Sequence, residues 1–483
     1  MDFADDRTGR RMILDVDTGI DDALALAYLA SFTDINLLGV IGTYGNVAVD
    51  TAVRNTEYVL ERLGLRHIPV MRGSAHPSWA RCFVPDAGCA QFHGIDGLGG
   101  FGPVPLGSTA DFLSTDSSSS VDRADCAQST DRGRIIGDRP IRTIRLSPME
   151  NGGELFSIGG YPLHDIHANP SIDDFSFSFA FAADGDVDTN GTAGNTDIDD
   201  DGDIPEGVRF LIDQIRRFGR DVTVVATGPL TDIDMAIAEA PDITRNLRLV
   251  MMGGSLTQEG NCWDLTAETN MIQDPEAADR VFHSGADITM VGLDVTHQCL
   301  LGGTATRRWR DAASLRGQSS EAHRRAPAAS SPSSAQSETF AQSTSSKVSA
   351  QSKASVTSPA PTPSAASTPS PQRMFSPQTL RFLADIADFS IAANLKADAR
   401  LFSAGMPLHD PLAAAVAVDP TLVSCIDLPM KVETQTGDFH GTRGRTIGDP
   451  EGLINPGAPR VHVALNVDAE RFLDEFSTRI AGN

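Results

Sequence analysis

The chain has 483 residues, 40% of them hydrophobic, enough for a substantial core and for one large α/β domain or two or three ordinary ones. Its 64 acidic against 39 basic side chains give a formal net charge of −25, which argues against nucleic acid or an anionic membrane surface as partner, because both reward Lys and Arg. No apolar stretch of signal-peptide length precedes the first acidic cluster and no later run is long enough to span a bilayer, so a cytoplasmic protein is expected.

Residues 11–72 read as βαβαβ: "RMILDVD" a strand, "DDALALAYLASF" a helix, "INLLGVIGT" a strand, "VDTAVRNTEYVLERLG" a helix and "IPVMRG" a strand. The rhythm returns after residue 206, with "GVRFLIDQIRRF" helical, "DVTVVATG" a strand, "LTDIDMAIAEA" a helix, "LRLVMMGG" a strand, "DPEAADRVFHSG" a helix and "ITMVGLDV" a strand. It resumes again near Met374 with the helical "TLRFLADIADFSIAANLKA" and "LHDPLAAAVAV". Short apolar runs alternating with helical periodicity predict a mostly parallel central sheet flanked by helices in one domain. In such sheets ligands collect at the carboxyl ends of the strands, where "DVDTG", "GTYGN", "ATGPL" and "MMGGS" lie.

Two segments break the pattern. Residues 103–205 mix Ser-rich text with the acidic tract "DGDVDTNGTAGNTDIDDDGD", and residues 315–373 are Ser, Ala, Pro, Thr and Gln with almost no large apolar side chain. Both are expected to be insertions into a single domain with core segments 11–102, 206–312 and 375–483, the second insertion disordered. Six cysteines without CxxC spacing predict reduced thiols with no chemical role.

The densest chemistry lies at "DVDTGIDD", where Asp15, Asp17, Asp21 and Asp22 follow one another across a strand, a glycine turn and a helix start. That geometry lets Asp17 and Asp22 converge on one point. A hard cation with oxygen ligands is the simplest way to hold them there, and Ca²⁺ suits a carboxylate-rich shell. The competing explanation for Asp21 and Asp22 is the ordinary preference of acidic residues for a helix N-terminus.

The later motifs are "GTYGN" with Asn46, "FHGIDGLGG" with His93, "ATGPLTD" with Thr227, "MMGG" with Met252, "GNCWDLTAETN" with Asn261, Glu268 and Asn270, and "PLHDPLAAA" with His409 and Asp410. Taken in this order with "DVDTGIDDA", and with "GTRGRTIGD" near the end, they resemble the inosine–uridine-preferring nucleoside hydrolase family. The resemblance covers most of the three core segments and neither insertion.

The resemblance implies hydrolysis of a ribonucleoside, uridine or inosine first, to free base and ribose by a calcium-positioned water with an aspartate base. It places Ca²⁺ on the carboxylates of Asp17, Asp22 and Asp410 and the backbone carbonyl of Thr227, with the ribose 2′- and 3′-hydroxyls and a water completing the shell. Asp17 would take the proton of that water, and Asp21 would hold it together with a ribose hydroxyl, Asn46 nearby. Asn261, Glu268 and Asn270 would grip the sugar hydroxyls, Met252 would lie against the ribose, and His409 would lie over the base and assist its departure. His93 reads either as a substrate contact or as a loop histidine. A homodimer or homotetramer in nucleoside salvage is also implied. The family usually has Pro where this chain has Thr18, and often an aromatic residue where it has Thr269.

Three motifs read as decoys. "GLGGFG" at 97–102 matches a dinucleotide fingerprint but follows no clear strand and opens no helix. "DVDTNGTAGNTD" at 186–197 imitates an EF-hand loop yet ends in Asp and lacks an incoming helix. "LHDIHANP", with His164 and Asp165, echoes the 408–411 motif without an apolar helix after it. Two other functions compete: a haloacid-dehalogenase-like phosphatase, for which "LDVDTG" would be the first motif, and a catalytically silent nucleoside-binding protein.

Overall fold

A computed structural model describes residues 9–103, 204–262, 265–325, 372–436, 440–453 and 455–482. The chain divides into two units; the larger comprises Met1–Val104, Gly202–Gln435 and Phe439–Asn483, and all described residues except Thr436 belong to it. The interiors of both expected insertions, with His164, Asp165 and the EF-hand-like tract, lie outside the described residues. At the margin of the second, the helix Gly303–Arg325 runs past residue 315, where the irregular segment was expected to begin.

The main sheet has eight strands in the order β3-β2-β1-β4-β5-β6-β12-β9: β1 (Arg10–Val16), β2 (Ile35–Gly42), β3 (Val70–Arg72), β4 (Val222–Ala226), β5 (Arg248–Met252), β6 (Asp287–Val291), β12 (Val461–Val467) and β9 (Val423–Leu428). Every neighbouring pair is parallel except β12 with β9, so the mostly parallel sheet expected from the alternating pattern is the one found. Two short ribbons, β7 (Leu300–Leu301) with β8 (Met406–Pro407) and β10 (Met430–Val432) with β11 (Thr446–Gly448), lie outside it.

A parallel strand covered on both faces is an apolar run, and β1 shows why. Met12, Leu14 and Val16 point into one buried core and Ile13 into the other. Helices Ile20–Ala30, Pro377–Ala397, His409–Val418 and Ala469–Ala481 cover the first face; Glu206–Phe218, Thr231–Glu239 and Pro275–His283 cover the second. Helix Ile20–Ala30 is buried along its whole length, which explains the near absence of polar residues after Asp22. Among the described residues no helix is long and apolar enough to cross a membrane.

One expectation needs correction locally. "ITMVGLDV" is not one strand: β6 ends at Val291, and Leu293–Thr296 forms a single helical turn. At Gly292 a Cβ would stand 2.6 Å from the carbonyl oxygen of Gly254, and Asp294 turns its carboxylate to the backbone N–H groups of Leu256 and Thr257, both at 2.7 Å. Apolar content alone could not separate this turn from a longer strand. The cysteines also differ in part: Cys89, Cys299 and Cys425 are free, but Cys82 is disulfide-bonded. Spacing within the sequence carried no sign of that bond.

The strand order places β1 beside β2 on one side and β4 on the other, so consecutive strands run outward from β1 in opposite directions. Loops leaving β1 and β4 therefore diverge and open a crevice at their carboxyl ends, the usual ligand position in such a sheet. The helix Gly303–Arg325 anchors this frame from behind through Trp309, which is fully buried, lies 6.1 Å from the ring of Phe476 and donates its Nε1–H to the Ser477 carbonyl at 3.1 Å. Trp309→Ala is expected to cost about 3–5 kcal/mol, the range for large buried aromatics, read as a lowered denaturant midpoint with little change in slope.

Candidate active site

Past the ends of β2 and β4 the parallel ladder continues for one step on each side of β1: Thr43 N–H bonds the Val16 carbonyl at 2.9 Å and Thr227 N–H bonds that of Asp15 at 2.8 Å. The chain then turns through Asp17, Thr18 and Gly19 into helix Ile20–Ala30. Thr18, where proline is usual in the resembled family, holds the turn by another route: its Oγ1 is 2.6 Å from Thr56 Oγ1, and its carbonyl accepts from Asn55 Nδ2 at 3.2 Å. Gly19 is a point of close approach, where a Cβ would meet His93 Nδ1 at 2.5 Å and Asn46 Nδ2 at 2.8 Å.

This turn and the start of helix His409–Val418 bring Asp21, Asp22 and Asp410 together, one carboxylate oxygen of each lying within 4.8 Å of the other two. Asp17 sits beside them. Its two oxygens accept from the backbone N–H of Asn46 at 2.7 Å and from Asn46 Nδ2 at 3.0 Å. Gly45 lets that contact form, since a Cβ there would stand 1.9 Å from Asp17 Oδ2. Asp22 caps its own helix by accepting from Gly19 N–H at 2.8 Å and takes Thr227 Oγ1–H at 2.6 Å. All four carboxylates are buried, and among the described residues none is paired with Lys or Arg.

Burial raises all four acids, and neighbouring carboxylates raise Asp17, Asp22 and Asp410 further. Asp21 is pushed up to about 6 by burial, and Asp22 to about 6 by burial and then by Asp21. Asp17 and Asp410 rise well above the usual carboxylate range, through burial first and neighbouring carboxylates next. Asp21 Oδ1 is buried and accepts no hydrogen bond. An oxygen-only cluster of unneutralised carboxylates with an orphaned acceptor fits a hard divalent cation, and the donor set excludes a soft metal that wants thiolate. Asp15 does not join the cluster: it is buried beside the Asp232 carboxylate, and burial first and Asp232 next raise it well above the usual carboxylate range.

The far wall comes from β4, β5 and the loop after β5. Asn270 Nδ2 donates to the carbonyls of Thr227 at 2.8 Å and Met252 at 3.1 Å, joining two of the expected site residues across the strand ends. Glu268 is buried and caps helix Thr269–Gln273, accepting from the N–H groups of Asn270 and Met271, and from Gly254 N–H at 3.0 Å. Asn261 is exposed, and its Oδ1 accepts from Thr269 N–H and Oγ1–H, both at 3.0 Å. Thr269, where the resembled family often has an aromatic residue, is thereby the tether of the Asn261 loop.

His93 closes helix Ala87–His93 rather than sitting in a loop. Its Nδ1 accepts from Ile20 N–H at 3.1 Å and lies 3.6 Å from Asp21 Oδ1, so Nε2 carries the ring proton; burial lowers it to about 4. His409 begins helix His409–Val418 with Nδ1 2.8 Å from Thr296 Oγ1 and its ring 5.6 Å from that of His297. Burial, then His297 and His93, hold His409 well below the ordinary histidine range. Thr296 and His297 were missed in the sequence, where they directly follow "ITMVGLDV", read as a strand. The decoy "GLGGFG" is explained too: Asp96 already accepts from the N–H groups of Leu98, Gly100 and Gly102, leaving no phosphate cradle.

A family model described as inosine-uridine preferring nucleoside hydrolase matches residues 12–474. The chain belongs to this family. Among solved structures of nucleoside hydrolases, a purine-preferring ribonucleoside hydrolase from Gardnerella vaginalis is 30% identical with a TM-score of 0.58, covering 98% of each chain. A probable uridine nucleosidase 2 of Arabidopsis thaliana is 27% identical over 297 residues, 60% of this chain and 62% of that relative. The pyrimidine-specific ribonucleoside hydrolase RihA of Citrobacter koseri is 27% identical over 57% of this chain and 65% of its own length. The matched stretches thus span less than two thirds of these two curated relatives.

The carboxylate cluster makes stability depend on pH and metal together. Without metal, Asp21 and Asp22 bind protons up to about pH 6 when folded but only to about 3.8 when unfolded, so they favour the folded state at low pH. That contribution should fall as pH rises from about 4 to 6, read as a declining melting temperature in chelator. Millimolar Ca²⁺ at pH 7 should raise the melting temperature by several degrees, since 100-fold excess over Kd is worth about 2.7 kcal/mol.

Proposed function

We propose that this chain hydrolyses the N-glycosidic bond of ribonucleosides to ribose and free base, with Ca²⁺ as its metal. The observation that carries the reading is the grouping of the buried Asp21, Asp22 and Asp410 carboxylates, with Asp17 beside them and, among the described residues, no Lys or Arg paired with them, within a chain of this family. Asp17, Asp22, Asp410 and the Thr227 carbonyl would hold the ion, the all-oxygen set favouring Ca²⁺. When bound, such a cation fixes the sugar hydroxyls and a water in one place and makes that water more acidic.

The remaining chemistry belongs to the protein. Breaking the glycosidic bond leaves positive charge on the ribose ring, which buried carboxylates and amide oxygens stabilise in a water-poor pocket. Asp17, held in place by Asn46, is the base for the attacking water. Asp21, with its orphaned Oδ1, is free to accept from a ribose hydroxyl and from that water. Glu268 and Asn270 stand on the sugar side with Met252, and Asn261 reaches the same side from the loop that Thr269 tethers. His93 and His409 lie toward the base, where His409 assists its departure.

Uridine and inosine are the first substrates to test. The relatives' names point both ways, to uridine and other pyrimidine nucleosides and to purine nucleosides, so the two belong in one assay. We read the two interrupting segments as insertions into one domain, and the protein as a cytoplasmic homodimer or homotetramer in nucleoside salvage. Purified protein should release ribose from uridine or inosine. Excess chelator should abolish release, and Asp17→Ala should lower kcat by about 10²–10⁴-fold, the usual worth of a general base. 2′-Deoxyuridine should be a poor substrate, because it lacks a metal ligand. Ribose release that ignores the chelator would remove the metal from the account, and no release by folded, calcium-loaded protein would remove the hydrolase.

A further inference from the structure

Thr296 has no part in the site as read from the sequence, yet its hydroxyl is the side-chain partner of His409. The contact joins two distant segments at 2.8 Å, Thr296 Oγ1 to His409 Nδ1, and Thr296 is fully buried. The surrounding backbone leaves both residues little freedom. The one-turn helix Leu293–Thr296 is fixed at its start by Leu293 N–H on the Gly254 carbonyl at 2.9 Å and by the Asp294 clamp on Leu256 and Thr257.

Just past it, the β7–β8 ribbon pairs Leu300 with Pro407 and Leu301 with Met406, and Leu408 N–H bonds the Cys299 carbonyl at 2.9 Å. The ribbon depends on Gly405, at φ +150°, where a Cβ would stand 2.0 Å from the Leu301 carbonyl oxygen. The ribbon brings together the segments that carry Thr296 and His409. His297 packs on the histidine ring from another side, at 5.6 Å, and is itself braced edge-on by Phe402 at 5.7 Å.

We propose that Thr296 is a positioning residue: its Oγ1–H donates to His409 Nδ1 and so holds the ring in the orientation and tautomer that present Nε2–H to the departing base. The inference rests on the hydrolase reading above. In the step concerned, the C1′–N bond breaks with its electron pair going to the base nitrogen. The water oxygen bonds C1′ and the water's proton passes to Asp17. The His409 proton stays on Nε2 and donates a hydrogen bond to the base as negative charge develops there. The base then takes a proton from solvent, and Asp17 returns its own to solvent. A hydroxyl at Nδ1 matters because the alternative tautomer would turn a lone pair toward that negative charge.

The test compares uridine with p-nitrophenyl β-D-ribofuranoside, whose phenolate leaves without a hydrogen-bond donor. Thr296→Val keeps the side chain's shape and removes the hydroxyl; Thr296→Ser keeps the hydroxyl. The valine variant should lose about tenfold or more in kcat on uridine with KM little changed, and at most about twofold on the nitrophenyl riboside. The serine variant should recover most of the uridine rate. Imidazole nitrogen shifts, assigned with His409→Asn, should show the Nε2–H tautomer of His409 in the wild type and a mixture in Thr296→Val. Equal losses on both substrates, or an unchanged tautomer with unchanged uridine turnover, would overturn the inference while leaving the hydrolase reading standing. A calcium-loaded wild type that releases sugar from neither compound would bring down both.

Discussion

Like-charge repulsion among buried carboxylates is the constraint around which this structure is organised. Four aspartates from three places in the chain are buried within reach of one another, and among the described residues no lysine or arginine pairs with them. Their own hydrogen bonds relieve only part of the cost: Asn46 serves Asp17, and Gly19 and Thr227 serve Asp22. The remainder is carried as protons on acids whose affinity for them is raised, or by a cation that displaces those protons. A fold keeps such a cluster only where surrounding packing holds it in place. Here a fully buried helix begins at Asp21 and Asp22, and a second, nearly as buried, at Asp410.

Topology explains why residues so far apart in sequence can meet. β1 delivers Asp17, β4 delivers Thr227, β5 delivers Met252, and the helix after β8 delivers His409 and Asp410, all at the carboxyl end of one parallel sheet. The divergence of chain direction around β1 opens the crevice, and the glycines at 19 and 45 let side chains close on it at distances a Cβ would forbid. A second layer then fixes the first. Asn270 ties two strand-end carbonyls together, Glu268 caps the helix that carries Asn270, and the β7–β8 ribbon sets His409 against Thr296.

Much of this was legible in the amino-acid sequence. The alternation of apolar runs with helical periodicity identified the strands and helices from residue 11 to 72 and from 206 to 291, because buried parallel strands and amphipathic helices have distinct periods. The acidic turn announced itself by charge density, and the ordered motifs named the family. What escaped notice has physical reasons. "GLDV" is apolar enough to extend a strand, and only the crowding at Gly292 and the Asp294 clamp bend it into a helical turn. The Thr296–His409 contact spans 113 residues and depends on a two-residue ribbon, too short to leave a periodic trace. His93 looked like a loop residue because its helix has only seven residues. The Cys82 disulfide left no spacing signal.

The central claim is that the buried carboxylates exist to hold a cation. Its most direct test is the metal content of the protein after exhaustive dialysis against a trace of Ca²⁺, measured by elemental analysis for the wild type and for Asp22→Asn with Asp410→Asn. The account predicts one tightly held calcium per wild-type chain and none in the doubly substituted, folded protein. A wild-type chain that stays folded and releases ribose while retaining no divalent metal would contradict it.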